Sequence, residues 1–259
     1  MIYLPKKAIL VIGLVLVAGH NLLDHITMEG KGFNSIIWYF LHQRQFVLNL
    51  GVFDSVIFAY PVIPWIGLMA LGYCFGTLYQ KDFGEEKRKK WLLYLGFGTT
   101  ALFFLIRGIN MYGDLVPWSQ QKITVYTLLF FNVTKYPPSL VYILITTGPT
   151  FICLYLLETI KIRFTEFFLV FGRVPLFFYF LHVFVIHALA IIGILIFGGN
   201  WKDMIFDGPD FSPGLLDYGY SLGVVYLVWI FVILILYPFS KKYMQYKANN
   251  KDKWWLSYL

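Results

Sequence analysis

The sequence predicts an all-α membrane protein, a bundle of about six transmembrane helices with one or two interfacial or re-entrant helices. The composition, the apolar stretches and the placement of basic residues support this prediction. Of the 259 residues, 59% are hydrophobic and 14% are charged, and the mean hydropathy is +0.67. A soluble domain has about 25% charged residues, so the composition excludes an ordinary soluble domain. A disordered chain is excluded as well, because apolar content this high cannot stay solvated.

Six apolar stretches are long enough, or nearly so, to span a bilayer, which needs roughly 20 residues in a helix. They are residues 8–23, 56–78, 91–109, 139–158, 175–197 and 219–239. Lys6 and Lys7 precede the first stretch, as they would in a signal peptide. No small-residue cleavage site follows it, so we interpret it as a membrane span.

The basic residues predict the orientation of these spans. Alternate connecting segments hold 14 Lys and Arg residues on one side and 5 on the other. Because cytoplasmic segments carry the excess of Lys and Arg, we expect both termini in the cytoplasm. The formal net charge of +7 thus reports orientation rather than nucleic-acid binding. We expect one transmembrane domain over residues 1–240 and a cytoplasmic tail over 241–259.

Two predicted outer segments, 33–53 and 123–131, are too apolar for ordinary loops and too short to span. We expect them to lie at the interface or to dip back into the protein. Cys74 and Cys153 both lie in apolar runs, which favours neither a disulfide framework nor a metal site.

Ionisable residues within spans are functional candidates, because a charge in hydrocarbon costs several kcal/mol. His20 and Asp24 are four residues apart, which puts them on one helix face at the outer end of the first span. A histidine and its orienting carboxylate can act as a general base. A helix end solvated by headgroup water is the alternative interpretation.

The second and third spans carry further polar candidates near their outer ends. Asp54 precedes the second span, whose outer turns contain Tyr60-Pro61 and Pro64-Trp65. Proline at depth predicts a broken helix that lines a cavity. The spacing of Arg107, Asn110 and Asp114 predicts one face that ends in an Arg–Asp pair, although snorkelling explains Arg107 equally well.

The fifth span places a histidine inside the membrane. Pro175 suits the first turn of a helix, and Arg173 lies just before it. Tyr179 and His182 share a face, with His182 about 10 Å into the span. A structural hydrogen bond, substrate binding and proton transfer all remain open for this imidazole.

Five segments together resemble a known family. They are Gly19–Asp24, Tyr60–Gly67 with Gly72-Tyr73, Asn110–Asp114 with Pro117-Trp118, Asn132–Leu140, and Gly172–His182. Their content and order are similar to a bacterial family of membrane proteins of unknown function. That family is grouped with heparan-alpha-glucosaminide N-acetyltransferase and related transmembrane acyltransferases. The resemblance extends from about Gly19 to Phe239.

The resemblance implies a multi-pass enzyme of the bacterial inner membrane. Such an enzyme passes an acetyl group from acetyl-coenzyme A on the cytoplasmic side to a sugar or glycan on the far side. A histidine activates the acceptor or carries the acyl group itself. The catalytic candidates are His182, His20 and Asp24. The substrate-binding candidates are Arg173, Tyr179, Lys135, Tyr136, Arg107, Asp114, Asp54 and Trp65.

The sequence also departs from the family pattern. Family members usually open with an Arg-Gly-containing helix that ends in Asp-His and supplies a catalytic histidine, and nothing here corresponds to it. We therefore expect either an N-terminally truncated piece or a lineage that has lost those helices. A transporter or flippase, and a non-catalytic membrane scaffold, are the alternative functions.

Overall fold

The computed structural model describes residues 3–120, 126–160, 165–205 and 219–257. Most of these residues are helical, which confirms the predicted all-α class. The helices are α1 (Lys6–Gly19), α2 (Phe33–Leu41), α3 (Val62–Phe75), α4 (Glu85–Ile109), α5 (Tyr126–Phe131), α6 (Leu140–Thr159), α7 (Thr165–Arg173), α8 (Pro175–Ile196) and α9 (Leu222–Asn249). Two strands, β1 (Gln45–Leu50) and β2 (Phe53–Phe58), pair with each other.

Six helical stretches in the described ranges are long and apolar enough to cross a membrane, as the sequence predicts. They are Lys6–Leu23, Val62–Tyr79, Glu85–Ile109, Leu140–Thr159, Pro175–Ile196 and Leu222–Asn249. The first and second include a short 3-10 turn after the α-helix. The chain is therefore a multi-pass membrane protein.

The predicted start of the second span is wrong. Residues 56–58 belong to β2, and α3 begins only after Pro61, which is its N-cap. Pro64 lies in the first turn, where a backbone N–H has no helical partner in any case. The prolines therefore start the helix and do not break it, contrary to the prediction of a broken helix.

The predicted helix over residues 33–53 is correct only for its first part. After α2 the chain turns into the antiparallel β1–β2 hairpin, in which Gln45 pairs with Phe58 and Phe46 with Ile57. Gly51, in the turn between the strands, has a positive φ angle of 62°, and Asn49 near the end of β1 has one of 53°. In the other segment, 121–125 lie outside the described residues, and α5 is too short to span.

The chain separates into two compact units, Met1–Ile160 and Lys161–Leu259. The domain prediction from sequence instead places a boundary between residues 240 and 241. Helix α9 continues through that position to Asn249. Each unit is described by itself below.

In the first unit, glycines let two pairs of helices approach closely. Helix α1 packs on α3, and α4 packs on α6. A Cβ atom on Gly67 would lie 2.8 Å from the Leu16 Cβ, and one on Gly148 would lie 2.3 Å from the Thr100 Oγ1. Small residues at such contacts are typical of membrane helices, which associate by close packing.

Aromatic side chains join the helices of the second unit. Phe167 of α7 stacks on Tyr237 of α9 with a centroid distance of 4.8 Å. Phe177 of α8 stacks on Tyr243 of α9 at 4.1 Å. Pro175 occupies the first turn of α8, as predicted. These contacts hold α7 and α8 against α9.

Candidate functional site

A buried polar cluster lies at the C-terminal end of α1. We call it the histidine cluster, and it comprises His20, Asn21, Asp24 and His42. The two histidines are only 2% and 3% exposed. The His42 Nε2 lies 3.0 Å from the Asp24 Oδ1, and the two imidazole centroids are 5.9 Å apart. The cluster therefore joins the end of the first span to the residue that follows α2.

The direct pair of His20 and Asp24 predicted from their spacing is not formed. After Gly19 the chain tightens into a 3-10 turn, so the four-residue spacing no longer places both side chains on one α-helical face. The His20 Nδ1 donates to the Val17 carbonyl at 3.0 Å. Asp24 accepts hydrogen bonds from His42 and, at 2.7 Å, from the Asn21 amide.

The sequence analysis missed His42, the true partner of Asp24. Its only local signal is a polar residue directly after the apolar run of α2. Its position depends on the preceding loop. The Tyr39 hydroxyl donates to the Met28 and Gly30 carbonyls. The Gln43 side-chain amide accepts from the Met28 N–H through Oε1 and donates to the Met28 carbonyl through Nε2. These contacts hold the imidazole in place.

Hydrogen bonding fixes which ring nitrogens of the cluster carry protons. The Asp24 carboxylate only accepts, so the His42 Nε2 carries the proton and Nδ1 has the lone pair. The Val17 carbonyl also only accepts, so the His20 Nδ1 carries the proton of the neutral ring and the lone pair is on Nε2. Both the His42 Nδ1 and the His20 Nε2 are buried without a hydrogen-bond partner among the described residues. Each imidazole therefore has one buried proton acceptor, and a carboxylate orients the ring of His42.

The predicted Arg107–Asp114 pair is present, with 2.6 Å between the Arg107 Nη1 and the Asp114 Oδ2. Four of the five guanidinium N–H groups of Arg107 are used inside the protein, and the substrate-binding role of the pair stays a prediction. The Arg107 Nε donates to the Phe130 carbonyl, and Nη2 donates to those of Leu129 and Asn132. The pair therefore fixes the chain that follows α5.

The predicted continuous face of Arg107, Asn110 and Asp114 is wrong. Asn110 ends α4 in a left-handed conformation with φ of 58°. Asp114 therefore reaches Arg107 from a loop rather than from the next helical turn.

The Arg107–Asp114 pair and the histidine cluster both bind the chain at the start of α6. The Asp114 Oδ1 accepts from the Thr134 backbone N–H at 3.1 Å, and the Asn21 Oδ1 accepts from the Leu140 N–H at 2.9 Å. The segment between these anchors contains Lys135 and Tyr136, two predicted substrate-binding residues. The histidine cluster and the Arg107–Asp114 pair thus position this segment from both ends.

Lys135 and Tyr136 form a cationic aromatic patch with Tyr60 and Arg44. The hydroxyls of Tyr136 and Tyr60 are 3.4 Å apart, and the Arg44 guanidinium carbon lies 5.9 Å from the Tyr136 ring centroid. The hydrogen bond from Tyr60, together with Lys135, lowers the pKa of Tyr136 below its usual value. Hydrogen bonding to Tyr136 raises the pKa of Lys135.

Trp65 and Asp54 complete the predicted candidates of the first unit. Trp65 lies in the first turn of α3, and its buried indole N–H finds no acceptor in the described part of the chain. Asp54 lies in β2, and its side chain is outside the described residues.

The second unit brings Tyr179 and His182 together, as predicted from their spacing. Their ring centroids are 5.3 Å apart, and His182 also stacks on Phe178 at 5.4 Å. The His182 Nδ1 donates to the Phe178 carbonyl at 3.2 Å, so the half-buried imidazole has a structural bond. Arg173 is exposed at the end of α7, with its Nη1 4.0 Å from the Met244 sulfur. The functional roles of all three residues stay predictions.

The fold and the histidine cluster define a multi-pass α-helical membrane protein with a buried polar site in its first unit. In the described ranges, no three His, Cys, Asp or Glu side chains are grouped to hold a metal ion. Comparison with protein-family models, curated proteins and solved structures finds no match. The function therefore has to be argued from the site itself.

Proposed function

We propose that this protein is a membrane acyltransferase that uses the histidine cluster to deprotonate its acceptor. The observation that supports this proposal is the buried Asp24–His42 hydrogen bond, which leaves the His42 Nδ1 as an oriented proton acceptor. General bases of this kind typically accelerate a reaction by about 10²–10⁴-fold.

The proposed reaction uses this geometry in one step. As the acceptor oxygen or nitrogen bonds to the acyl carbonyl carbon, its proton passes to the His42 Nδ1. The carbon–sulfur bond of the thioester breaks, and the coenzyme A thiolate leaves. Asp24 stabilises the imidazolium that forms, since its carboxylate accepts the hydrogen bond from Nε2.

Other candidates take supporting roles in this proposal. We assign Lys135 and Tyr136 to the acceptor sugar. Lys135 is exposed, its ammonium lies 5.1 Å from the ring centroid of the half-buried Tyr136, and both residues lie in the segment that Asn21 anchors. Acetyl-coenzyme A is the proposed acyl donor, and the proposal requires its thioester to reach the histidine cluster. Arg173, Tyr179 and His182 remain candidates for the donor.

Acyl transfer by membranes that contain the full chain tests the proposal. Membranes are incubated with labelled acetyl-coenzyme A, and the label is counted in glycan and lipid-linked sugar fractions. We expect wild-type transfer and, for His42→Gln, a loss of at least about 100-fold. His25→Gln is the matched control, because His25 lies one residue after Asp24 but is exposed, and it should keep full activity.

Two results would contradict the proposal. One is no transfer to any fraction by intact wild-type protein. The other is equal activity of His42→Gln and His25→Gln. Movement of an unmodified solute by the same membranes would instead favour a transporter.

A further inference from the structure

The second unit contains a cavity of about 570 Å³ between the end of α7 and the C-terminal part of the chain. Its walls include Arg173 from α7, Met244 and Lys247 from α9, and Lys251, Lys253 and Trp254 from the turn beyond. Pockets that hold small ligands typically measure about 300–1,000 Å³. The cavity is therefore large enough for a phosphate-bearing headgroup or a nucleotide.

Positive charge dominates this cavity. Four of the residues that line it are cationic, and none of its described lining residues is acidic. The ion pairs within the described ranges include none of these four cations. The nearest acidic residue in sequence is the exposed Asp252. Like charges held together repel one another, so the arrangement favours binding of an anion.

Arg173 and Lys253 contact neutral groups of the protein, and each keeps hydrogen-bond donors that a ligand can use. Arg173 has one described contact, to the weak acceptor sulfur of Met244. Lys253 donates to the Tyr246 hydroxyl at 2.8 Å, and this bond raises the pKa of Lys253, so it stays protonated at neutral pH. A guanidinium presents a planar set of donors that matches phosphate oxygens, and ammonium groups add point charges.

The apolar part of the cavity indicates its surroundings. Trp254 and Trp255 are exposed. Leu256, which also lines the cavity, is buried. Exposed tryptophans are enriched at the membrane–water interface. The three lysines lie on the side that the positive-inside rule assigns to the cytoplasm.

We propose that this cavity binds a phosphate-bearing anion at the cytoplasmic surface of the membrane. Arg173 holds the phosphate through its planar donors, and Lys247, Lys251 and Lys253 neutralise its charge. Trp254 and Met244 contact the apolar or ring portion of the ligand. The phosphate belongs either to an anionic lipid headgroup or to a soluble nucleotide.

Binding to the purified full chain tests this site with two probes. Native mass spectrometry measures retention of phosphatidylglycerol against phosphatidylcholine, and calorimetry measures binding of adenosine 3′,5′-bisphosphate. We expect the wild type to bind one of the two anionic probes. The double variant Lys247→Gln/Lys251→Gln should bind it at least tenfold more weakly.

The matched control is Lys241→Gln/Lys242→Gln. It removes the same charge from positions on α9 that are outside the cavity wall, and it should bind like the wild type. Arg173→Gln provides a second variant if the double lysine variant unfolds, as judged by its thermal midpoint. Selective retention of phosphatidylglycerol assigns the site to a lipid headgroup, and binding of the bisphosphate assigns it to a nucleotide. Binding of neither probe, or equal loss in both double variants, would overturn the proposal.

Discussion

Buried polar residues of the first unit differ in how completely the protein satisfies them. Arg107, which is 2% exposed, donates hydrogen bonds to Asp114 and to three backbone carbonyls. His20 and His42 each keep one buried ring nitrogen without a partner in the described residues. A buried polar atom without a partner costs stability, and two such nitrogens within one cluster are the reason that we propose a function there. The described bonds of Arg107 are all within the protein, and we take the histidine cluster as the candidate site.

Replacing Arg107 therefore affects stability. Arg107→Gln leaves the Asp114 carboxylate without its cation, and removal of one partner of a buried pair costs about 3–5 kcal/mol. We expect a clear fall in the thermal midpoint of the purified protein, measured by tryptophan fluorescence. Arg44→Gln, which removes an exposed arginine of the same unit, is the control and should change the midpoint little. Equal midpoints for both variants would show that the Arg107 bonds do not stabilise the fold.

The boundaries of the helices and strands show which parts of the fold the sequence patterns predict. The lengths of the apolar stretches predicted most of the ends of α4, α6 and α8 to within a few residues, because a membrane span needs a minimum length. The β1–β2 hairpin was not predicted, since a short apolar run is compatible with either a strand or a helix. The α3 start was displaced for the same reason, because residues 56–58 at the end of β2 are apolar and continue into the apolar helix after Pro61.

The close approach of α4 and α6 gives a prediction at this scale. A Cβ atom on Gly148 would meet the Thr100 Oγ1 at 2.3 Å and the Thr100 backbone nitrogen at 3.0 Å. Overpacking typically costs about 1–3 kcal/mol, so Gly148→Ala should lower the thermal midpoint.

Gly98→Ala is the matched control, because Gly98 lies on α4 and a Cβ atom there has no neighbour within 4 Å. Alanine is favoured over glycine in a helix by about 1 kcal/mol, so this variant should be equally or more stable. A Gly148→Ala variant as stable as Gly98→Ala would contradict the close helix contact.

For the whole molecule, composition and hydropathy were enough to predict a multi-pass helical membrane protein. The candidate site could be predicted only in part. The sequence placed Asp24 and His20 at the end of the first span, but the bond that orients a base joins Asp24 to His42, 18 residues away. That contact depends on how the loop before α2 folds, which no local pattern specifies. The cationic cavity was anticipated only through Arg173, because its lysines come from the turn beyond α9.

The central claim is that Asp24 acts through His42 in acyl transfer, and a double-mutant cycle tests it most directly. The rate of transfer is measured for Asp24→Asn, His42→Gln and the double variant, with the thermal midpoint and the KM of each. Residues that act as one unit lose activity non-additively. We therefore expect the double variant to retain about the same kcat as His42→Gln, with all variants folded. Losses that multiply in the double variant, or an unchanged kcat in either folded single variant, would contradict the account.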